Sequence, residues 1–137
     1  SQSLPEGDYG LATAEGRWTA ERKNIHDLFG SCIGDRERFL KEIERLSTYD
    51  HASIIVEATL PEILAYRSEQ STGITEEQRR ARPRTVINSL LSWSVEFGIH
   101  VLFVSSDRDL CRRVVHRLAE RYWRKLHAPE REAGPRP

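Results

Sequence analysis

The chain has 137 residues, 38% of them hydrophobic and 31% charged, with 21 Lys and Arg against 21 Asp and Glu for a formal net charge of zero. That length leaves room for a single core, and the composition excludes a disordered or fibrous chain. Neutrality excludes nucleic-acid binding through bulk charge, so an anionic partner must be met by local patches.

In chain order, Asp8 to Thr13 and Arg17 to Arg22 are short, carry β-favouring Tyr, Thr and Trp, and are separated by Ala14-Glu15-Gly16, which predicts a hairpin. Folding it sets Asp8 near Glu21 and Lys23. In the second strand Glu21 and Lys23 lie two apart and share a face, while Arg22 takes the other. Asn24 then fits an N-cap, followed by a short helical face of Ile25, Leu28, Phe29 and Cys32. Asp27 on this turn stands within reach of Arg22 or Lys23. Phe39, Leu40, Ile43 and Leu46 mark a second helix.

Ala52 to Ala58 is a compact apolar run suited to a strand buried on both sides, with Glu57 at its end. Pro61 to Arg67 predicts a short helix, and the polar stretch from Ser68 to Pro83, with Gly73, a loop. Val86, Ile87, Leu90, Leu91, Ser94 and Phe97 follow helical spacing up to Gly98, and His100 to Ser105 predicts another buried strand. Ser106 and Asp109 have the spacing of a capping box. The helix that follows carries Leu110, Cys111, Val114, Val115, Leu118, Tyr122 and Leu126 as its apolar stripe, and Arg112, Arg113, Arg117, Arg121, Arg124 and Lys125 as a solvated face. Strands alternating with helices predict an α/β fold, a mixed sheet flanked by helices.

Two carboxylates and an ammonium brought together by a hairpin are the minimum for metal-assisted phosphodiester cleavage. Asp8 and Glu21 can share a divalent cation, and Lys23 can serve the attacking water or the phosphate without competing for the metal. Only three lysines stand against eighteen arginines, and one falls at this position. Arg22 and Asp27 are expected to brace the site, with Glu57 a weaker candidate. For phosphate contact the candidates are Arg36 with Arg38, and Arg79, Arg80, Arg82 and Arg84. The five histidines show no ligand spacing. Cys32 and Cys111 are too few for a disulfide framework and are read as buried free thiols. Trp93 and Trp123 are read as core residues ahead of interface aromatics. The proline-rich end of the chain predicts a disordered tail over 127–137.

The string Gly7-Asp8, Glu21-Arg22-Lys23, Asp27 resembles the GDx(n)ERKx3D signature of the XPF-type nuclease domain, and the likeness runs over residues 4–126. Cys32 to Phe39, Glu42 to Leu46, Ser53 to Glu57 and Val86 to Val104 resemble the segments that follow the signature in that family. The resemblance implies a restriction-endonuclease-like domain that cuts branched, flapped or forked DNA with Mg2+ or Mn2+. It also implies homo- or heterodimers through the nuclease domain, and helix-hairpin-helix modules after it, none of which is seen up to Pro137.

Family members carry an earlier strand that supplies a further metal-binding acid. Only Ser1 to Glu6 precede the signature here, so either that strand lies upstream or the domain lacks it, and the absence of methionine points to a trimmed or processed chain. The family's Asp-Gly-Arg is replaced by Gly34-Asp35-Arg36-Glu37-Arg38. The alternative expectation is a catalytically idle nuclease-like domain used for DNA docking or dimerisation. No run reaches membrane-span length and no signal peptide is visible, so an intracellular location, nucleus or cytoplasm by host, is expected.

Overall fold

The structure of the chain, a computed structural model, describes residues 8–9, 17–67 and 73–127. Among the described residues its sheet has four strands in the order β1 (Asp8–Tyr9), β2 (Trp18–Asn24), β3 (His51–Glu57) and β4 (His100–Phe103). β1 is antiparallel to β2, whereas β2, β3 and β4 are mutually parallel. Parallel neighbours need crossovers. Between β2 and β3 run α1 (Ile25–Phe29), a π-helical turn (Gly30–Gly34) and α2 (Arg36–Leu46). Between β3 and β4 run α3 (Leu60–Ala65) and α4 (Glu76–Phe97), and α5 (Arg108–His127) follows β4. The mixed α/β sheet flanked by helices is the expected fold class.

β3 is the centre because it can be buried on both faces: Ala52 through Glu57 are all buried. Alternation sends Ile54 and Val56 into one core with Leu28, Phe39, Ile43, Ile63, Leu90 and Trp93. Ile55 enters a second core with Trp18, Ala20, Cys111, Val115 and Ala119. Helices α1 to α4 therefore cover one face of the sheet, and α5 covers the other.

Three expectations are corrected. Residues 76–83, read as loop, begin α4, because Thr75 and Gln78 form a reciprocal capping box: Gln78 N–H donates to Thr75 Oγ1 at 3.1 Å and Thr75 N–H to Gln78 Oε1 at 2.8 Å. Pro83 sits inside this helix with its ring buried, so packing outweighs the lost N–H donor. The helix stops at Gly98, whose φ of 66° is the left-handed conformation that glycine adopts without strain. At α5, Asp107 is the cap in place of Ser106, its Oδ1 accepting from Asp109 N–H at 2.9 Å and Leu110 N–H at 3.3 Å. Trp93 is core, packed edge-on to Phe39, but Trp123 is 51% exposed and stacks on His127. Both cysteines are buried and free. His127, expected in the tail, is the last residue of α5; the rest of the expected first strand at 10–13, the turn at 14–16, the loop at 68–72 and the tail over 128–137 lie outside the described residues.

Because Ile55 is fully buried on the α5 face, Ile55→Ala should lower stability by about 2–5 kcal/mol. A reduced denaturant midpoint with an unchanged slope is the expected readout.

Candidate active site at the carboxyl end of the second strand

The parallel strands β2, β3 and β4 end on one side of the sheet, the location that open α/β sheets offer to ligands. Glu21, Arg22 and Lys23 stand at this end of β2, and all three are half-buried. Asp8 of β1 occupies the register position directly opposite Glu21. Asn24 ends the strand and caps α1, its Oδ1 accepting from Asp27 N–H at 2.8 Å. The chain thus turns from strand to helix within one residue of Lys23.

The two faces of β2 separate the charges. Lys23 emerges on the α1–α2 face, where its Nζ donates to Ser31 Oγ at 3.0 Å and lies 5.0 Å from the Phe39 ring centroid. Arg22 emerges on the α5 face and donates to Glu57 Oε2 through Nε at 3.1 Å and Nη2 at 2.8 Å. With side chains only 9% and 6% exposed, this is a buried ion pair between two strand ends. Asp27, expected within reach of Arg22 or Lys23, lines an open cleft of about 360 Å³ together with Lys23, whereas Arg22 is paired with Glu57 on the other face. The physical reason is strand parity: Arg22 is carried through to the layer where Glu57, of the same parity as Ile55, is waiting.

The cleft is also lined by His26, Ser31, Asp35, Arg38, Phe39 and Glu42. Glu42 Oε2 is shielded from solvent and has no protein hydrogen-bond partner among the described residues. Ser31, Phe39 and Glu42 were missed in sequence, although two glycines flanking Ser31 at 30 and 34 signal an unusual turn. There Asp35 N–H reaches back to Gly30 O at 2.8 Å, closing a wide π-type turn of the kind common at functional sites. Arg38 is exposed and borders the cleft. Arg36, expected on phosphate, donates through Nη1 to Cys32 O at 3.1 Å and Ser89 Oγ at 2.7 Å and lies over Trp93 at 4.8 Å. It ties the π-turn to α4. Arg82 and Arg84 ride on α4 and do not line the cleft.

Burial pushes the Cys32 thiol up to about 12, against the lowering influence of Arg36 and Lys23. The Cys111 thiol is also raised, by burial first and then by the charge of Glu57. Among the described residues no group of three or more His, Cys, Asp or Glu is arranged around a metal position. The register that sets Asp8 opposite Glu21 puts two carboxylate-bearing positions side by side, and such a pair could hold a divalent cation that fills its remaining positions with water and phosphate.

A parallel-stranded α/β domain with acids and a lysine at its strand ends is the architecture of a nuclease-like domain. The ERCC4 domain matches residues 1–116, and the chain belongs to that family. Its fold is similar to that of XPF from Aeropyrum pernix in complex with DNA, at 23% identity and a TM-score of 0.59, covering 94% of this chain and 55% of that one. It is also similar to XPF from Aeropyrum pernix in a second structure, at 22% identity and a TM-score of 0.50, covering 91% of this chain and 58% of that one. The chain therefore spans little more than half the length of these structures. No curated protein matches it.

Removing one partner of the Arg22–Glu57 pair strands the other in a buried position, so Glu57→Ala should cost about 3–5 kcal/mol in denaturant unfolding. The raised Cys32 thiol, about 12 folded against 9.0 ordinarily, predicts no alkylation of Cys32 in the native protein at pH 8. Since the unfolded thiol ionises first, its contribution to stability is full below pH 9 and declines as pH rises from 9 towards 12.

Proposed function

We propose that this chain is the catalytic domain of a divalent-metal-dependent endonuclease that hydrolyses phosphodiester bonds in branched or flapped DNA. The observation that carries the proposal is the register of Asp8 opposite Glu21, with Lys23 two residues on at the open end of the parallel strands. Membership of the ERCC4 domain family and the fold of XPF support it.

Asp8 and Glu21 would hold Mg2+ or Mn2+, which supplies Lewis acidity at the scissile phosphate when bound. Lys23, anchored to Ser31 Oγ and over Phe39, presents an ammonium whose remaining donors can orient a water or offset charge as the phosphate gains it. Arg22 acts from the opposite face: its ion pair with Glu57 fixes the strand ends and thereby the backbone that carries Glu21 and Lys23. Asp27 and Arg38 border the cleft into which a substrate strand would enter. The nuclease domain is assigned to residues 4–126, with 127–137 as a linker. DNA as substrate implies an intracellular site of action, and pairing of two nuclease domains belongs to the same proposal.

Asp8→Ala and Lys23→Ala should each abolish Mn2+-dependent nicking of flap and fork DNA, while circular dichroism and melting temperature stay near wild type. Cleavage retained by both variants would remove the assignment. DNA binding without cleavage by the unaltered chain would favour an idle docking module.

A further inference from the structure

We propose that the outer face of α5 is a second contact surface for DNA, in which Arg113, Arg117, Arg121 and Arg124 form a ladder on the backbone of a duplex arm leading away from the cleavage site. The choice of DNA rests on the nuclease reading of the strand-end site. The ladder itself stands on its own observations.

Seven of the twenty residues of α5 are Arg or Lys and only two are Asp or Glu, in a chain whose net charge is zero. Positive charge is therefore concentrated on this element. Cys111, Val115 and Ala119 point into the sheet, and at about 100° per residue the four arginines fall on the opposite side of the helix. All four are exposed. Among the described residues none of the four has an ion-pair or hydrogen-bond partner, whereas Arg112 on the flank pairs with Asp109 at 3.5 Å.

A helix face that serves only solubility mixes signs at i, i+4, because like charges at that spacing weaken the helix. Arg113, Arg117 and Arg121 are three like charges at that spacing, and the one acid on this side of the helix, Glu120, stands four residues before Arg124 and forms no ion pair with any of the four among the described residues. Their mutual repulsion is relieved by an extended anion lying along the face. From Arg113 to Arg124 the ladder spans about 16 Å, and a duplex presents about one phosphate charge per 1.7 Å of its axis. A single strand would be held with stacking platforms. Trp123, the exposed aromatic of this helix, is turned about 100° from Arg124 and is stacked on His127 at a centroid distance of 4.1 Å. The duplex backbone is the better match.

Placement agrees. β2, β3 and β4 end at the edge of the sheet where Lys23 and Glu57 stand, and α5 starts from that edge after β4. The ladder then runs back along the far layer. A duplex lying on it would leave the strand-end site along α5, with its charges met in succession and no base read.

The test is titration of a blunt duplex with the 137-residue chain in EDTA over a range of salt, read by fluorescence anisotropy. R113Q/R117Q/R121Q/R124Q should weaken binding and flatten the slope of log affinity against log salt by about 3–4, and the all-lysine counterpart should restore it. Should the fourfold glutamine variant fail to fold, as read by circular dichroism, Arg117→Gln alone should lower the slope by about 1. Unchanged affinity and slope in the glutamine variant, or tighter binding of a single strand than of the duplex by the unaltered chain, would overturn the ladder. Parallel Mn2+ cleavage assays separate the two proposals: duplex binding without cleavage removes the nuclease reading alone, and cleavage with an unaltered slope removes the ladder alone.

Discussion

The two-residue period of β2 governs what each charge at its end can reach. Trp18 and Ala20 go down into the core under α5, and Arg22 follows them in parity to meet Glu57. Glu21 and Lys23 have the other parity, and Lys23 emerges over Phe39 beside Ser31. A three-residue run of like appearance is therefore divided between two layers. Lys23 on one face lines the cleft, and Arg22 on the other joins the ends of the strands through Glu57.

That division places a demand on the buried pair. Two nearly buried charges are stable together only when desolvation is offset by short, well-directed hydrogen bonds, and Arg22 makes two to a single carboxylate oxygen. The π-turn makes a related demand on the other face. It brings Ser31 to Lys23 and is itself held by Arg36, whose guanidinium bridges Cys32 O, Ser89 Oγ and the Trp93 ring. Arg22 and Arg36 thus support the backbone, while Arg38 lines the cleft and remains exposed.

Neutrality of the whole chain conceals a segregation of charge. Arg80 is balanced by Glu76 in an exposed i, i+4 pair on α4, a contact of small energetic weight. The outward arginines of α5 lack such partners among the described residues. Bulk charge therefore says little about charge at any one surface, where the relevant quantity is the sign and spacing of charge along one helix face.

Local patterning was enough to read the strands and most helices, because apolar period and capping residues act over a few positions: Ala52 to Ala58 announced the central strand, and Gly98 the end of α4. The start of α4 was misread, since Pro83 weighed as a breaker while the Thr75–Gln78 box and burial of its ring outweighed it. Glu21 and Lys23 sharing a face, opposite Arg22, also followed from sequence, because strand alternation is a property of the backbone alone. The sequence by itself thus determined the alternation of elements and the side of the strand each charge takes. Only the tertiary structure decided that Arg22 meets Glu57, 35 positions away, that Ser31 meets Lys23, and that Arg36 meets Ser89. Those choices depend on which strands become neighbours and how a π-turn closes, and neither is encoded in the spacing of residues along the chain.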